Sequence, residues 1–257
     1  MFEAMLSAAS GLISQQRRMD IIADNLANAN TAAFRASRLN FQDMLYVDGR
    51  YPYRDAAQNQ QKGHGVIAAS VSHSLTSGSF GSTERSLDFA IEGEGFFMAL
   101  NPDGGIYYTR QGNFYLSERG GPMYLVNSHG HFVLDDEQAP IILPAEADTL
   151  TINAAGEIIF SGPDGFTSAG GHIGIRTFIN PQGLNARGLA YYTPTAASGE
   201  PQPSLRSSIR QGALEMSNVD LAREMTLMIR TQRAFSLASR ALSTADDMEG
   251  IANNMRR

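Results

Sequence analysis

The first thirty residues carry a hydrophobic repeat that a long helix satisfies only when it packs against another helix. The repeat alternates steps of three and four along Phe2, Met5, Ala9, Leu12, Gln16, Met19, Ala23 and Leu26. Such heptad spacing places one stripe of side chains along one side of an α-helix. A helix of about 28 residues is about 42 Å long, so this stripe needs a partner along most of its length.

A second repeat of the same kind lies near the other end of the sequence. It runs through Leu221, Met225, Met228, Gln232, Phe235, Ala238, Leu242 and Ala245. We predict that the two helices pair, and that an assembly seam is formed by Met5, Leu12, Met19, Leu26, Leu221, Met225, Met228, Phe235 and Leu242. Ser217 with Asp220 predicts a capping box before the second helix, and Asn218 is an alternative N-cap. An ordinary helical hairpin lying on a globular domain is the alternative interpretation.

Residues 66 to about 210 have a different pattern, in which short β-branched or alternating runs are separated by Gly-rich turns. The predicted strands are residues 66–71, 88–91, 96–100, 106–109, 113–116, 123–126, 131–134, 149–152, 157–160 and 171–179. Residues 101–105 and 161–165 are typical turn sequences between them. Many short strands at this spacing predict an all-β domain, barrel-like or a sandwich.

Between these two regions, residues 48–65 are polar and contain Tyr51-Pro52-Tyr53 followed by a Gln- and Asn-rich tract. A surface loop is one interpretation of such a composition. The segment is longer than ordinary connections, and its aromatic residues have too few hydrophobic neighbours to build a local core. We therefore predict an extended connector that becomes ordered against a neighbouring subunit.

The composition limits the possible partners. A net charge of −6 and a pI near 5.4, without any basic run, argue against nucleic acid as a main partner. The chain has no cysteine, which rules out disulfides and thiolate chemistry. No run of 18 apolar residues exists, so membrane insertion is not predicted. Glu3 occupies the place of a basic n-region, and the apolar residues are periodic, so export without a cleaved signal peptide is the expectation.

No stretch of the sequence carries a catalytic motif. Glu92-Gly93-Glu94-Gly95 lacks the third glycine and the following helix of a phosphate-binding loop, so we predict a tight turn or bulge there. His129 and His131 would share one face of a strand, but no carboxylate accompanies them as a further metal ligand. No Gly-x-Ser-x-Gly elbow is present. We therefore predict no catalytic, cofactor-binding or metal-binding residues.

Four stretches resemble the sequence signatures of flagellar rod and hook proteins. They are Asn25-Leu26-Ala27-Asn28 with Thr31 and Ala33-Phe34-Arg35, residues 87–97, residues 108–114, and residues 211–219. The family usually has Gly at the position of Ala33, a departure that affects the local turn. The motif residues carried over are Asn25, Leu26, Asn28, Thr31, Phe34, Asp88, Gly93, Gly95, Phe96, Gly212, Ser217 and Asn218. Because the matches run in the expected order over nearly the whole chain, it is identified as a member of the flagellar basal-body rod protein family.

The resemblance implies an α+β fold in three parts. Long terminal helices would pair as a coiled-coil-like domain, called D0, from residues 1–32 and 216–257. Residues 33–65 would form an extended connector, and residues 66–215 a central all-β domain, called D1.

The same resemblance implies a structural function and no enzymatic one. Residues 41–46 and 243–248 favour the distal-rod subunits, with proximal-rod subunits of similar length as the alternative. Copies would polymerise into a helical hollow tube that crosses the periplasm, transmits torque from motor to hook and forms part of the export channel. The implied partners are other rod proteins, the hook protein, the L- and P-ring proteins and the flagellar type III export apparatus. A ligand-binding β-module with a helical oligomerisation stalk is an interpretation of a different class.

Overall fold

A computed structural model describes residues 2–48, 61–101, 104–144, 147, 149–162, 165, 167–188, 190–204 and 206–255. The chain divides into two compact units. Unit 1 draws on residues 1–29, 36–74 and 219–257, and unit 2 on residues 30–35 and 75–218. Unit 1 contains both terminal helices, and unit 2 is built from antiparallel strands. The predicted α+β class is confirmed, whereas the predicted boundaries of D0, connector and D1 stay predictions.

Two helices that run antiparallel form the centre of unit 1. Helix α1 spans Phe2–Ala27 and helix α2 spans Leu221–Asn254. Asn25, near the end of α1, is hydrogen-bonded to Glu224, near the start of α2. Buried and half-buried positions on α2 recur at steps of three and four, as Glu224, Leu227, Thr231, Ala234, Ala238, Leu242 and Ala245. Both predicted helices are confirmed, and supercoiling of the pair stays a prediction.

The start of α2 differs from the prediction. Asp220 is the N-cap, because its side chain accepts a hydrogen bond from the N–H of Arg223 at 3.1 Å. Ser217 and Asn218 lie farther upstream, in unit 2. The side chain of Asn218 donates to the carbonyl oxygen of Thr76 at 2.8 Å, so it is engaged in unit 2 and does not cap the helix.

Two short antiparallel strand pairs complete unit 1. Strand β1 (Ser37–Asp43) pairs with β4 (Val66–His73), and β2 (Tyr46–Asp48) pairs with β3 (Gln61–Gly63). The hydroxyl of Ser14 on α1 donates to the carbonyl oxygen of Val66 at 3.2 Å. The strand predicted at residues 66–71 is confirmed, and its partner β1 lies within the predicted connector. Residues 49–60, which include Tyr51-Pro52-Tyr53, lie outside the described residues, so the prediction about their ordering stays open.

Unit 2 consists of short strands. They are β5 (Phe80–Ser82), β6 (Phe89–Glu92), β7 (Phe96–Leu100), β8 (Ile106–Thr109), β9 (Phe114–Glu118), β10 (Met123–Asn127), β11 (Phe132–Val133), β12 (Ile142–Leu143), β13 (Thr149–Ile152), β14 (Glu157–Ser161), β15 (Thr167–His172), β16 (Ile175–Thr177), β17 (Asn185–Gly188), β18 (Tyr191–Thr193), β19 (Gln202–Pro203), β20 (Ser208–Gln211) and β21 (Ala213–Glu215). A single 3₁₀ turn at Pro181–Gly183 precedes β17 in the described part of this unit.

One large sheet dominates unit 2. Among the described residues it has ten strands, with the main order β12-β10-β11-β7-β8-β18-β17; β16 joins at β7, β19 at β16 and β9 at β10. A three-stranded sheet, β13-β14-β15, and the pairs β20-β6 and β21-β5 complete the unit. The core contains fully buried Phe89, Phe97 and Phe114, and the rings of Phe97 and Phe114 meet edge to face at 5.3 Å. The predicted all-β domain is confirmed.

The long strand predicted at residues 171–179 is wrong. The structure has β15 and β16 instead, separated at Ile173 and Gly174. A Cβ atom added to Gly174 would lie 2.5 Å from the carbonyl oxygen of Asp135, so another backbone approaches the chain closely at this position. The apolar and β-branched residues on either side of this break produce one continuous strand pattern in the sequence.

Candidate assembly site

The structure divides the predicted assembly seam into two groups. Met5, Leu12, Met19, Leu26, Met228, Phe235 and Leu242 are half-buried within unit 1. Leu221 and Met225 are 44% and 56% exposed, because Glu224 occupies the buried position of that helical turn. The role of these nine residues in assembly stays a prediction, and the two exposed ones are already available to a partner.

Large hydrophobic side chains are exposed along both helices. They are Leu6 and Ile13 on α1, Leu221, Met225, Ile229, Leu237, Met248 and Ile251 on α2, and Met255 at its C-cap. Positions 237, 241, 244, 248, 251 and 255 follow steps of four and three, which makes a second, outward-facing heptad row. This row was not predicted, because the inner repeat occupies the same part of the helix. Contiguous exposed apolar surface of this kind marks an interaction surface.

The motif residue Asn25 fixes the end of α1 within unit 1. Its side chain is buried, with Oδ1 accepting from the N–H of Ser37 at 2.8 Å and Nδ2 donating to the carbonyl oxygen of Ser37 at 2.9 Å. The same Nδ2 donates to Glu224 Oε2 at 3.3 Å. The Asn25 side-chain amide therefore connects α1, β1 and α2, and it provides hydrogen-bond partners for both the N–H and the C=O of buried Ser37.

A buried ionic cluster lies in unit 2. Glu215 Oε1 is 2.7 Å from Arg35 Nη2, and Glu215 Oε2 is 3.2 Å from Arg110 Nη1. The N–H of Gly78 also donates to Glu215 Oε1, at 3.0 Å. All three charged side chains are at most 5% exposed. Since water is excluded, each charge depends on the others for its stabilisation.

Arg110 brings further motif residues into this cluster. Its guanidinium donates to the carbonyl oxygens of Gly93 at 2.7 Å and Ile91 at 3.3 Å, and its Cζ lies 5.6 Å from the centre of the Phe96 ring. Burial lowers the pKa of Arg110, and the Glu215 carboxylate opposes that shift. Arg35, Arg110 and Glu215 were not predicted as a cluster. The available signal was their position in three separate motif stretches of the resemblance.

Backbone hydrogen bonds join the same segments around Glu215. The N–H of Ala33 donates to the Glu215 carbonyl oxygen at 2.8 Å, and the N–H of Asn218 lies 3.4 Å from the Phe34 carbonyl oxygen. Ala33 has a φ of +59°, in the left-handed region that favours glycine. The turn that the family usually makes with Gly is therefore formed here by Ala.

The glycines of the central motif lie where the backbone geometry favours glycine. The chain bends after β6, where Gly93 and Gly95 have φ values of +108° and +134°. A Cβ on Gly95 would lie 2.6 Å from Ile175 Cγ2. The N–H of Gly212 donates to the carbonyl oxygen of Asp88 at 2.8 Å. This bend agrees with the turn predicted at residues 92–95.

The motif residues do not all meet in one place. Asn25, Leu26 and Asn28 lie in unit 1, where the Asn28 side chain donates to the carbonyl oxygen of Asp24 at 2.9 Å and closes the end of α1. Thr31, Phe34, Asp88, Gly93, Gly95, Phe96, Gly212, Ser217 and Asn218 belong to unit 2. The motif residues therefore stabilise local structure within each of the two units.

The two histidines lie on a turn before β11 and not on a strand as expected, because Gly130 between them has a φ of +79°. His129 Nδ1 lies 3.0 Å from the hydroxyl of Tyr191, and the rings of His131 and Tyr191 are 5.0 Å apart. In the described part of the chain, no three His, Cys, Asp or Glu side chains are grouped to hold a metal ion. The helices described here also include none that is long and apolar enough to cross a membrane.

Comparison with known families assigns three parts of the chain. Residues 5–35 match the family described as "Flagella basal body rod protein", and residues 90–160 match "Flagellar hook protein FlgE/F/G D1 domain". Residues 210–255 match "Flagellar basal body rod FlgEFG protein C-terminal". The matches include both terminal helices and the central strands.

Curated proteins are similar over the full length. The flagellar basal-body rod protein FlgG of Borreliella burgdorferi is 38% identical, and that of Bacillus subtilis 34% identical, each over 100% of both chains. The flagellar hook-basal body complex protein FlhP of Bacillus subtilis is 31% identical, also over 100% of both chains. On this evidence the chain belongs to the flagellar basal-body rod protein family, as a FlgG-type member.

Proposed function

We propose that the chain is the structural subunit of the flagellar distal rod, and that copies of it polymerise into a helical hollow tube. In this tube the protein transmits torque from motor to hook, and the interior is part of the export channel. Its neighbours are other rod proteins and the hook protein at the ends, and the L- and P-ring proteins around it. The flagellar type III apparatus exports it, and no catalysis is involved.

The observation that carries this proposal is the exposed hydrophobic surface of unit 1. Leu221, Met225 and Ile229 are each separated by four residues and lie exposed on α2, while Leu6 and Ile13 are exposed on α1. A helical unit built from both ends of a chain and apolar on its outer faces is suited to packing against copies of itself. When such contacts join different surfaces and the rotation does not close, a filament results.

The experiment removes this surface in the flagellated source bacterium. A strain that lacks the gene is complemented with the wild type or with the double variant Met225→Asp and Ile229→Asp, and basal bodies are imaged by cryo-electron tomography. A carboxylate buried in an apolar interface costs several kcal/mol, so we expect the double variant to form no distal rod. Ile179→Asp, at a position 77% exposed in unit 2, is the matched control and should form normal rods.

The outcomes separate the alternatives. Complete rods in the strain without the gene would refute the rod function. Complete rods from the double variant would show that another surface assembles the subunits. A missing proximal part of the rod, with the distal part present, would favour the proximal-rod alternative. A ligand-binding β-module would instead retain binding by unit 2 and leave rod formation unaffected in all strains.

A further inference from the structure

The last turns of α2 extend beyond α1. α2 has 34 residues and α1 has 26, and the Asn25–Glu224 hydrogen bond aligns the end of α1 with the start of α2. From this pair α1 continues for 23 residues to Phe2 and α2 for 30 residues to Asn254, so α2 extends about seven residues, or about 10 Å, beyond α1. Every described residue from Asp246 to Met255 is exposed. Met248, Ile251 and Met255 are each more than half exposed and form one apolar row on this extension.

The end of α2 also carries acidic side chains that have no partner among the described residues. Asp246, Asp247 and Glu249 form no ion pair within the described residues. Arg256 and Arg257 follow in the sequence and lie outside the described residues. The described end of α2 is thus an amphipathic helix with an apolar row and negative charges beside it, a form typical of a segment that binds in a groove.

A groove of matching character lies elsewhere on unit 1, between α1 and the β1–β4 hairpin. Its volume is about 370 Å³, and its apolar walls come from Ile21, Leu39, Ala68 and Val71. Arg17 and Asp20 lie at its rim. A neighbouring groove shares Ile21 and Leu39 and adds Arg18 and Arg38. Arg223 and Glu224 also line the neighbouring groove, so the two linings together have four arginines against two carboxylates. This net positive charge complements the three carboxylates at the end of α2.

The extension cannot fill the groove of its own subunit. Ile21 and Leu227 line the same neighbouring groove, so the two grooves lie beside residue 227 of α2. Met248 is 21 residues farther along the same helix, about 31 Å away. A straight helix cannot bring Met248 back to Val71.

We propose that the acidic, apolar end of α2 from one copy binds in the Ile21–Leu39–Val71 groove of a second copy. This inference rests on the proposed function, since it specifies one contact by which copies assemble. The two surfaces differ, so the contact is head-to-tail and continues from subunit to subunit. It also covers apolar residues on both sides that are exposed in the single chain.

Disulfide mapping tests the contact directly, because the chain has no cysteine. Cells that lack the native gene express a mixture of the Val71→Cys and Met248→Cys variants, and isolated basal bodies are oxidised. Disulfides form only when Cα atoms are within about 7 Å, so we expect a dimer band from the mixture and none from either variant alone. In the control mixture, Ser239→Cys takes the place of Met248→Cys. Ser239 is exposed and lies about 13 Å along the helix from Met248, so this mixture should give no band.

Charge reversal is the second test of the proposed contact. Replacing Asp247 and Glu249 by Arg in the Met248→Cys protein should lower the dimer yield at least about tenfold, since like charges would face each other. Arg17→Glu with Arg38→Glu in the Val71→Cys protein should restore most of the yield. A yield that is unaffected by either change would overturn the proposal.

The outcomes distinguish the contact from the function. Normal rods without the dimer band, or a Met248→Cys crosslink to a different protein, would overturn the contact and leave the rod function intact. Complete rods in cells without any copy of the chain would refute the function itself. A dimer band with rescue by the reversed charges would establish the contact.

Discussion

The substitution Glu215→Gln tests whether the buried ionic cluster stabilises unit 2. It keeps the size of the side chain and removes its charge. In the wild-type chain this carboxylate lies 2.7 Å from Arg35 and 3.2 Å from Arg110, and the three side chains are at most 5% exposed. The variant therefore leaves two buried guanidinium groups without a counter-charge.

The expected cost follows from this burial. Removing one partner of a buried ion pair destabilises a protein by about 3–5 kcal/mol, because the remaining charge is desolvated and uncompensated. With an m-value of about 2 kcal/mol/M, the urea midpoint of unit 2 should fall by about 1.5–2.5 M. The matched control is Glu92→Gln, which removes the pair with Arg210 at 3.7 Å, where the side chains are 56% and 45% exposed. Exposed pairs contribute about 0–1 kcal/mol, so the control midpoint should stay near the wild type.

Tyrosine fluorescence is a suitable signal for this measurement. The chain has no Trp, and six of its nine Tyr belong to unit 2. Equal midpoints for Glu215→Gln and Glu92→Gln would refute the argument that water exclusion makes the cluster strong. A large loss for both would show instead that surface charge, and not burial, determines the effect.

Three further changes test other parts of the structure. Asn25→Ala leaves a buried backbone N–H and C=O unpaired and should cost about 2–4 kcal/mol in urea unfolding followed by the helical signal, whereas exposed Asn40→Ala should cost under about 0.5 kcal/mol. Gly112→Ala places a Cβ 1.7 Å from a carbonyl oxygen and should lower Tm sharply, whereas Gly105→Ala, in open space, should not. Burial raises the pKa of Tyr191 from 10.0 to about 12, so its neutral phenol contributes stability that is complete below pH 10 and lost as pH rises through about 12. Tyr191→Phe should therefore flatten the decline of the urea midpoint over this range, and an unchanged decline would contradict the assignment.

The elements that were predicted correctly are those in which apolar residues recur with a regular period. Both terminal helices, and strands β7, β8 and β13, agree closely with the predictions, because each combines a regular apolar pattern with clear turn residues. The outward row from Leu237 to Met255 was missed, since two heptad rows overlap on one helix and the stronger inner row determines the pattern. Strand β1 was missed because residues 33–65 were assigned to a connector, although Leu39 and Phe41 alternate with polar residues in its short sequence.

The ionic cluster lay beyond pattern analysis for a different reason. Arg35, Arg110 and Glu215 are separated by 75 and 105 residues, and charged residues in a sequence normally indicate solvated surface. Their burial depends on three segments meeting, which no local period encodes. Only the resemblance singled out the stretches that contain them, and it did so without indicating that the side chains touch.

The motif stretches that form this cluster lie near the points where the chain crosses from one unit to the other. The chain passes between the two units at residues 29–30, 35–36, 74–75 and 218–219. Within unit 2, Thr76 accepts hydrogen bonds from the side chains of both Arg35 and Asn218, and Glu215 accepts from Gly78 and Ala33. The three segments of unit 2 beside these passages are thus joined to one another by hydrogen bonds and by the buried Glu215 ion pairs. Under the proposed function, a mechanical load on any one of these segments would be shared by the other two, so local unfolding at one passage would require breaking contacts to all three segments.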